Sequence, residues 1–126
     1  MKDYILEKTK ITPSVNCNAE KGEFTFEGRS IPEDSIAFFE PIIEWLDEYF
    51  KSPCQTTTLN FRLDYINSGS SKYLLSIFKN LTGFINDSTL IIVNWYYEED
   101  DETIIDLGEH YKTTFPQFTF NLKMEI

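Results

Sequence analysis

Apolar residues take every second position in several stretches of this chain and fall at helical spacing between them. Phe24 and Phe26 alternate with Glu23, Thr25 and Glu27, which predicts a strand closing at Gly28. From Thr57 to Ile66, Leu59, Phe61, Leu63 and Tyr65 alternate with Asn60, Arg62 and Asp64, the pattern of a strand buried on one face and wet on the other. Phe118, Phe120, Leu122, Met124 and Ile126 repeat that pattern, whereas Leu90 to Tyr97 is more continuously apolar and reads as a central strand. Tyr4 to Glu7 predicts an early strand, and Ile11 to Val15 an extended segment interrupted by Pro13.

Ser30-Ile31-Pro32-Glu33 has the S-x-x-E spacing of a capping box, with Pro32 in a first turn where its missing N–H does no harm. The helix this predicts buries Phe38, Ile42, Trp45, Leu46 and Tyr49, ends at Ser52-Pro53, and kinks or breaks at Pro41. A second helix spans Ser70 to Phe84, with Leu74, Ile77, Phe78 and Leu81 inward and Gly83 near its C-terminus. Residues 100 to about 112 read as a third. Strands and helices alternate from residue 23 onward, which predicts an α/β fold. The one-sided strands narrow it to a two-layer sandwich over residues 1–126: a mixed sheet of about five strands with three main helices mostly on one face.

Composition narrows the class further. The 126 residues include 11 Phe, 7 Tyr and 2 Trp, enough apolar surface for one packed domain and foreign to a disordered chain. Lys+Arg number 11 against 21 Asp+Glu, a formal net charge of −10, and the basic residues are scattered along the sequence. Nucleic acid and anionic membrane surfaces call for clustered cations, so neither is an expected partner. Met1 to Lys8 has no apolar run of signal-peptide length, and Leu90-Ile91-Ile92-Val93 is far short of a membrane span. The expectation is a soluble cytoplasmic protein with Cys17 and Cys54 reduced.

Candidate chemistry concentrates in Asp64-Tyr65-Ile66-Asn67-Ser68-Gly69-Ser70-Ser71-Lys72, which joins the carboxyl end of a strand to a helix start. Free N–H groups and the positive end of the helix dipole favour an anion there. Gly69 permits close backbone approach, Lys72 follows within a turn, and no carboxylate follows Asp64 nearby, so the segment can seat a phosphate, either bound or covalently attached. A plain cap, with Ser68 or Ser70 bonding an N–H two or three residues on, explains the same residues. Glu98-Glu99-Asp100-Asp101-Glu102 either gathers a hard cation or complements the dipole of the third helix. The G-x-S-x-G, G-x-x-x-x-G-K-[ST] and G-x-G-x-x-G patterns are absent, and His110 is the only histidine.

Ser30-Ile31-Pro32-Glu33, Phe39-Glu40-Pro41, Glu44-Trp45-Leu46, Leu59-Asn60-Phe61, Asn67-Ser68, Ser70-Ser71-Lys72 and Asn94 through Glu102 occur in that order. With them the chain resembles the SiaC family of bacterial regulatory phosphoproteins over nearly its whole length. The resemblance implies a STAS-like sandwich, related to anti-sigma-factor antagonists, with no cofactor and no catalysis of its own. It implies partner switching: a serine/threonine kinase phosphorylates a hydroxyl at the start of the helix after a central strand, and a metal-dependent phosphatase removes the phosphate. The unphosphorylated form then binds a downstream protein, a diguanylate cyclase in one branch. On this sequence the resemblance places the phosphoacceptor at Ser68, with Ser70 and Ser71 in reserve and Asn67, Gly69 and Lys72 shaping the turn. Gly69 stands where a further Ser or Thr is expected, and Ser68 where some relatives carry Thr. Three alternatives stay open: a STAS-type module with another target, an enzyme using residues 98–102 and a metal ion, and a nucleotide-binding module built on the Ser68 turn.

Overall fold

The computed structural model describes residues 1–125 and sets three helices against a six-stranded mixed sheet. Strands β1 (Tyr4–Leu6), β2 (Ser14–Asn18) and β3 (Glu23–Ser30) form an antiparallel meander. β4 (Thr56–Ile66), β5 (Leu90–Glu98) and β6 (Thr119–Glu125) continue it in parallel, each reached through a helix: α1 (Ser35–Tyr49), α2 (Ser68–Thr82) and α3 (Glu102–Thr114). The strands lie in chain order across the sheet. Crossovers of one hand that all step in one direction put their helices on one face. The result is the two-layer sandwich the one-sided strands predict, with one sheet face left open.

The covered face is aromatic. Phe24, Phe26, Leu59, Phe61, Val93, Trp95 and Phe120 from the strands meet Ile42, Leu46, Leu74, Phe78, Ile104 and Tyr111 from the helices. Phe78 lies among the rings of Phe61, Tyr111, Phe115, Phe118 and Phe120, with centroids 5.0 to 6.0 Å away. Gly108 lets the backbone of α3 lie directly on the Trp95 indole, because any Cβ there would collide with the ring. The indole Nε1 donates to the Ile104 carbonyl at 2.9 Å. Among the described residues no buried side-chain polar atom lacks a hydrogen-bond partner.

The open face is polar. One row crosses every strand in register: Ile5, Asn16, Thr25, Asn60, Asn94 and Asn121. Asn121 donates to Asn94 at 3.0 Å and Asn94 to Asn60 at 2.9 Å, an amide ladder that satisfies its own donors without a second layer. Beside it, the Arg62 guanidinium sits 3.7 Å from the centre of the Tyr96 ring and 3.1 Å from Glu125.

Several local expectations are corrected. Pro13 precedes β2 rather than interrupting it, which supplies the sixth strand. Ser30 does not cap α1: it ends β3 opposite Ile66, 1% exposed, and Asp34 caps the helix instead, accepting from Ala37 N at 3.0 Å. Strand pairing outcompetes the local capping signal, and Pro32 falls outside the helix. α1 runs through Pro41 without a break. Trp45 is only half-buried, its Nε1 donating to the Lys2 carbonyl at 2.9 Å, and Phe39 takes the deeper place instead of Phe38. Tyr65 leaves the apolar face. Gly28 pairs with Leu63 but Arg29 with Tyr65, so Asp64 has no opposite number on β3 and the alternation slips. Tyr65 is 57% exposed, with the Arg29 guanidinium 4.8 Å from its ring centre. Ile126, the last apolar position of the predicted final strand, lies outside the described residues.

No helix among the described residues is long and apolar enough to cross a membrane. Cys17 is buried and Cys54 half-buried, both as free thiols. Burial pushes the Cys17 thiol up to about 12.

Candidate functional site

The parallel strands end at one rim of the sheet, and the three helices start there. Asn67, not Ser68 or Ser70, caps α2: its side-chain oxygen accepts from Ser70 N at 2.8 Å and its carbonyl from Ser71 N at 3.0 Å. Its own N–H donates to the Ser30 carbonyl, and its amide reaches the Pro32 carbonyl at 3.4 Å. Asn67 thereby ties the start of α2 to the end of β3 and the lead into α1. Ser68 is the first residue of α2 and is exposed. At a helix start the first N–H groups have no intrahelical acceptor, and among the described residues those of Ser68 and Gly69 find no other one.

The neighbouring hydroxyls differ. Ser70 is fully buried, donating to the Ser30 carbonyl at 2.9 Å and accepting from the Ser30 hydroxyl at 2.8 Å. Ser71 is half-buried and donates to the Ser68 carbonyl at 3.0 Å. Lys72 is exposed and, among the described residues, pairs with no carboxylate. Gly69 packs against α1: a Cβ there would stand 2.5 Å from the Ser35 hydroxyl oxygen, so the starts of α1 and α2 touch at this residue. From behind, the buried Tyr111 phenol donates to the Ser71 carbonyl at 3.0 Å, and burial raises its pKa well above the ordinary range, so it stays a donor.

The local field is not the one the sequence suggests. The acidic run folds back to the same rim, where Asp64, Glu98, Asp100 and Asp101 line an open groove of about 420 Å³ floored by Tyr65, Ile66 and Ile104. On the other side, the β1–β2 loop and the end of β3 bring Lys8, Lys10 and Arg29 around a second groove of about 370 Å³ with Asp64 as its one carboxylate. Those cations are far apart in sequence, and no spacing rule would have collected them. Among the described residues no group of three or more His, Cys, Asp or Glu side chains could hold a metal ion. His110 lies exposed along α3 and lines neither groove.

The fold and this rim define a class: an α/β module with an open sheet face, an amide-capped helix start and an exposed serine on it. The chain belongs to the SiaC family of regulatory phosphoproteins, whose family model matches residues 6–125. It is 25% identical over 112 residues to an uncharacterized protein of Pseudomonas aeruginosa strain UCBPP-PA14, covering 89% of each. Its fold is similar to a chain in the crystal structure of the diguanylate cyclase SiaD in complex with its activator SiaC from Pseudomonas aeruginosa. That match has a TM-score of 0.90 at 24% identity over 98% of this chain and 100% of the other. Apo-SiaC from the same organism gives a TM-score of 0.84 at 23% identity over the whole of both chains.

Proposed function

We propose that this protein is a non-enzymatic partner-switching regulator, reversibly phosphorylated on Ser68, whose unphosphorylated form binds and controls a downstream diguanylate cyclase. A serine/threonine kinase adds the phosphate and a metal-dependent phosphatase removes it. Membership of a regulatory phosphoprotein family supports the class, and the solved complex of SiaD with its activator SiaC supports the kind of partner.

The observation that carries the residue assignment is the contrast among the hydroxyls of the first turn. Ser68 offers an exposed oxygen beside two unspent N–H groups, whereas the Ser70 oxygen is enclosed between two bonds to Ser30. Phosphate adds about −1.5 to −2 charges and three acceptor oxygens. At a helix start those oxygens accept from the free N–H groups, so the fold tolerates the group. A partner seated on the same rim meets added bulk and charge instead, and a loss of ~3 kcal/mol weakens binding more than a hundredfold. Asn67 and Gly69 hold the turn, and Lys72 supplies a nearby cation.

Phosphopeptide mapping after incubation with the cognate kinase and ATP tests the site. The expected result is one phosphate on Ser68, abolished in Ser68→Ala. Stoichiometric phosphate on the Ser68→Ala protein contradicts the assignment.

A further inference from the structure

Five serines meet where α1 and α2 begin, and the hydroxyls of three are already engaged. Those of Ser30 and Ser70 bond each other, and that of Ser71 donates to the Ser68 carbonyl. The hydroxyls of Ser35 and Ser68 have no hydrogen-bond partner among the described residues. Ser35 opens α1 and Ser68 opens α2.

The two helices run side by side from these residues. Ser35 lies against Gly69, with its hydroxyl oxygen 2.5 Å from where a Cβ would stand. Four residues on in each helix, the rings of Phe39 and Tyr73 stack with centroids 5.1 Å apart, and the Tyr73 hydroxyl donates to Glu40 at 3.3 Å. Residues four apart share a helix face, so Gly69 and Tyr73 together turn toward Ser35 and Phe39. The lead into α1 is also tied to α2: the Asn67 N–H and the Ser70 hydroxyl both donate to the Ser30 carbonyl, and the Asn67 amide to that of Pro32. Gly69 is helical backbone with no positive φ, so its missing side chain serves this close approach and not a turn. Negative charge already reaches the junction, where burial and the Glu40 and Asp34 carboxylates raise the pKa of the Tyr73 phenol. A phosphate on Ser68 therefore needs donors nearer to it than those carboxylates. First-turn side chains lean back over the helix start, which brings the phosphate over the free N–H of Gly69 and toward the hydroxyl lying against that residue.

We infer that the Ser35 hydroxyl donates to the phosphate on Ser68, so that Ser35 is a positioning residue of the switch and the phosphate fastens the start of α1 to the start of α2. Phosphorylation then acts within the molecule as well as at the partner's contact, bonding two helix starts that otherwise meet there only by packing. This inference rests on the regulator reading above and names the residue that holds its phosphate.

The test is a cycle of phosphorylation against mutation in the full chain. Wild type, Ser35→Ala and Ser35→Thr are incubated with the cognate kinase and ATP, phosphate on Ser68 is confirmed by peptide mapping, and each protein is melted in both forms. Loss of a hydrogen bond to a charged group is expected to lower the melting temperature of phosphorylated Ser35→Ala by about 3 °C or more beyond any change in its unphosphorylated form. Ser35→Thr, which keeps the hydroxyl, is expected to recover most of that difference. A role in packing alone moves both forms equally, and equal shifts on Ser35→Ala overturn the inference while leaving the regulator reading intact. A wild-type chain that the kinase does not phosphorylate on Ser68 overturns the regulator reading, and the inference with it.

Discussion

α1 and α3 begin behind aspartates, whereas α2 begins behind an amide. Asp34 accepts from Ala37 N at 3.0 Å, Asp101 from Ile104 N at 3.2 Å and Asn67 from Ser70 N at 2.8 Å. The three caps satisfy the same backbone donor, and the helix dipole favours the charged ones. At two helix starts a carboxylate already occupies the place where negative charge is favoured. At the third, the one followed by Ser68, that place is kept neutral. The uncharged cap forgoes a little stability and leaves the positive end of the dipole free for an added anion.

Ser70 and Ser68 separate most widely when each is replaced by a carboxylate. Ser70→Asp buries a charge among the Ser30 oxygens and is expected to lower unfolding free energy by about 3 kcal/mol or more. Ser68→Asp, exposed at the dipole's positive end, is expected to raise it by about 0.3–1 kcal/mol. Urea unfolding of the two variants checks both, and equal effects would erase the distinction between the hydroxyls.

Gly69 sets how closely the α1 and α2 starts approach. Gly69→Val is expected to cost about 1–3 kcal/mol by overpacking against Ser35. Ser35→Gly in the same chain should recover part of the loss, and additive effects in the double-mutant cycle would show that the two residues do not meet. Removing a cap costs less: Asn67→Ala and Asp34→Ala should each lower stability by about 1 kcal/mol. The smallest effect is Asn67→Asp, which makes α2 start like its neighbours. It gains from the helix dipole but loses the donor to the Pro32 carbonyl, so net stability should change by less than about 1 kcal/mol, while phosphorylation of Ser68 should slow, most at low salt. Faster phosphorylation of Asn67→Asp would contradict the role given to the neutral cap.

The sheet and its single helical layer were legible because alternation in β4 and β6 reports one buried face and one wet one. The turn at Ser68 was legible because strand and helix periodicities change there. What escaped was set by tertiary pairing. Ser30 had the spacing of a cap, but its partners are Ile66 and Ser70, 36 and 40 residues away. Tyr65 fits the alternation and breaks it, since a slip in pairing with β3 leaves no local trace in β4. Lys8, Lys10 and Arg29 looked scattered because only the meander brings the β1–β2 loop to the end of β3. The acidic run, distant from Ser68 along the chain, returns to the same rim because β4 and β5 are parallel neighbours.

The central claim is that a phosphate on Ser68 closes the rim to its partner. It is tested most directly by measuring the affinity of the phosphorylated and the unphosphorylated protein for the purified diguanylate cyclase under identical salt. The account predicts that phosphorylation weakens binding by about a hundredfold or more, a change of ~3 kcal/mol. Equal affinity of the two forms, or tighter binding by the phosphorylated one, would contradict it.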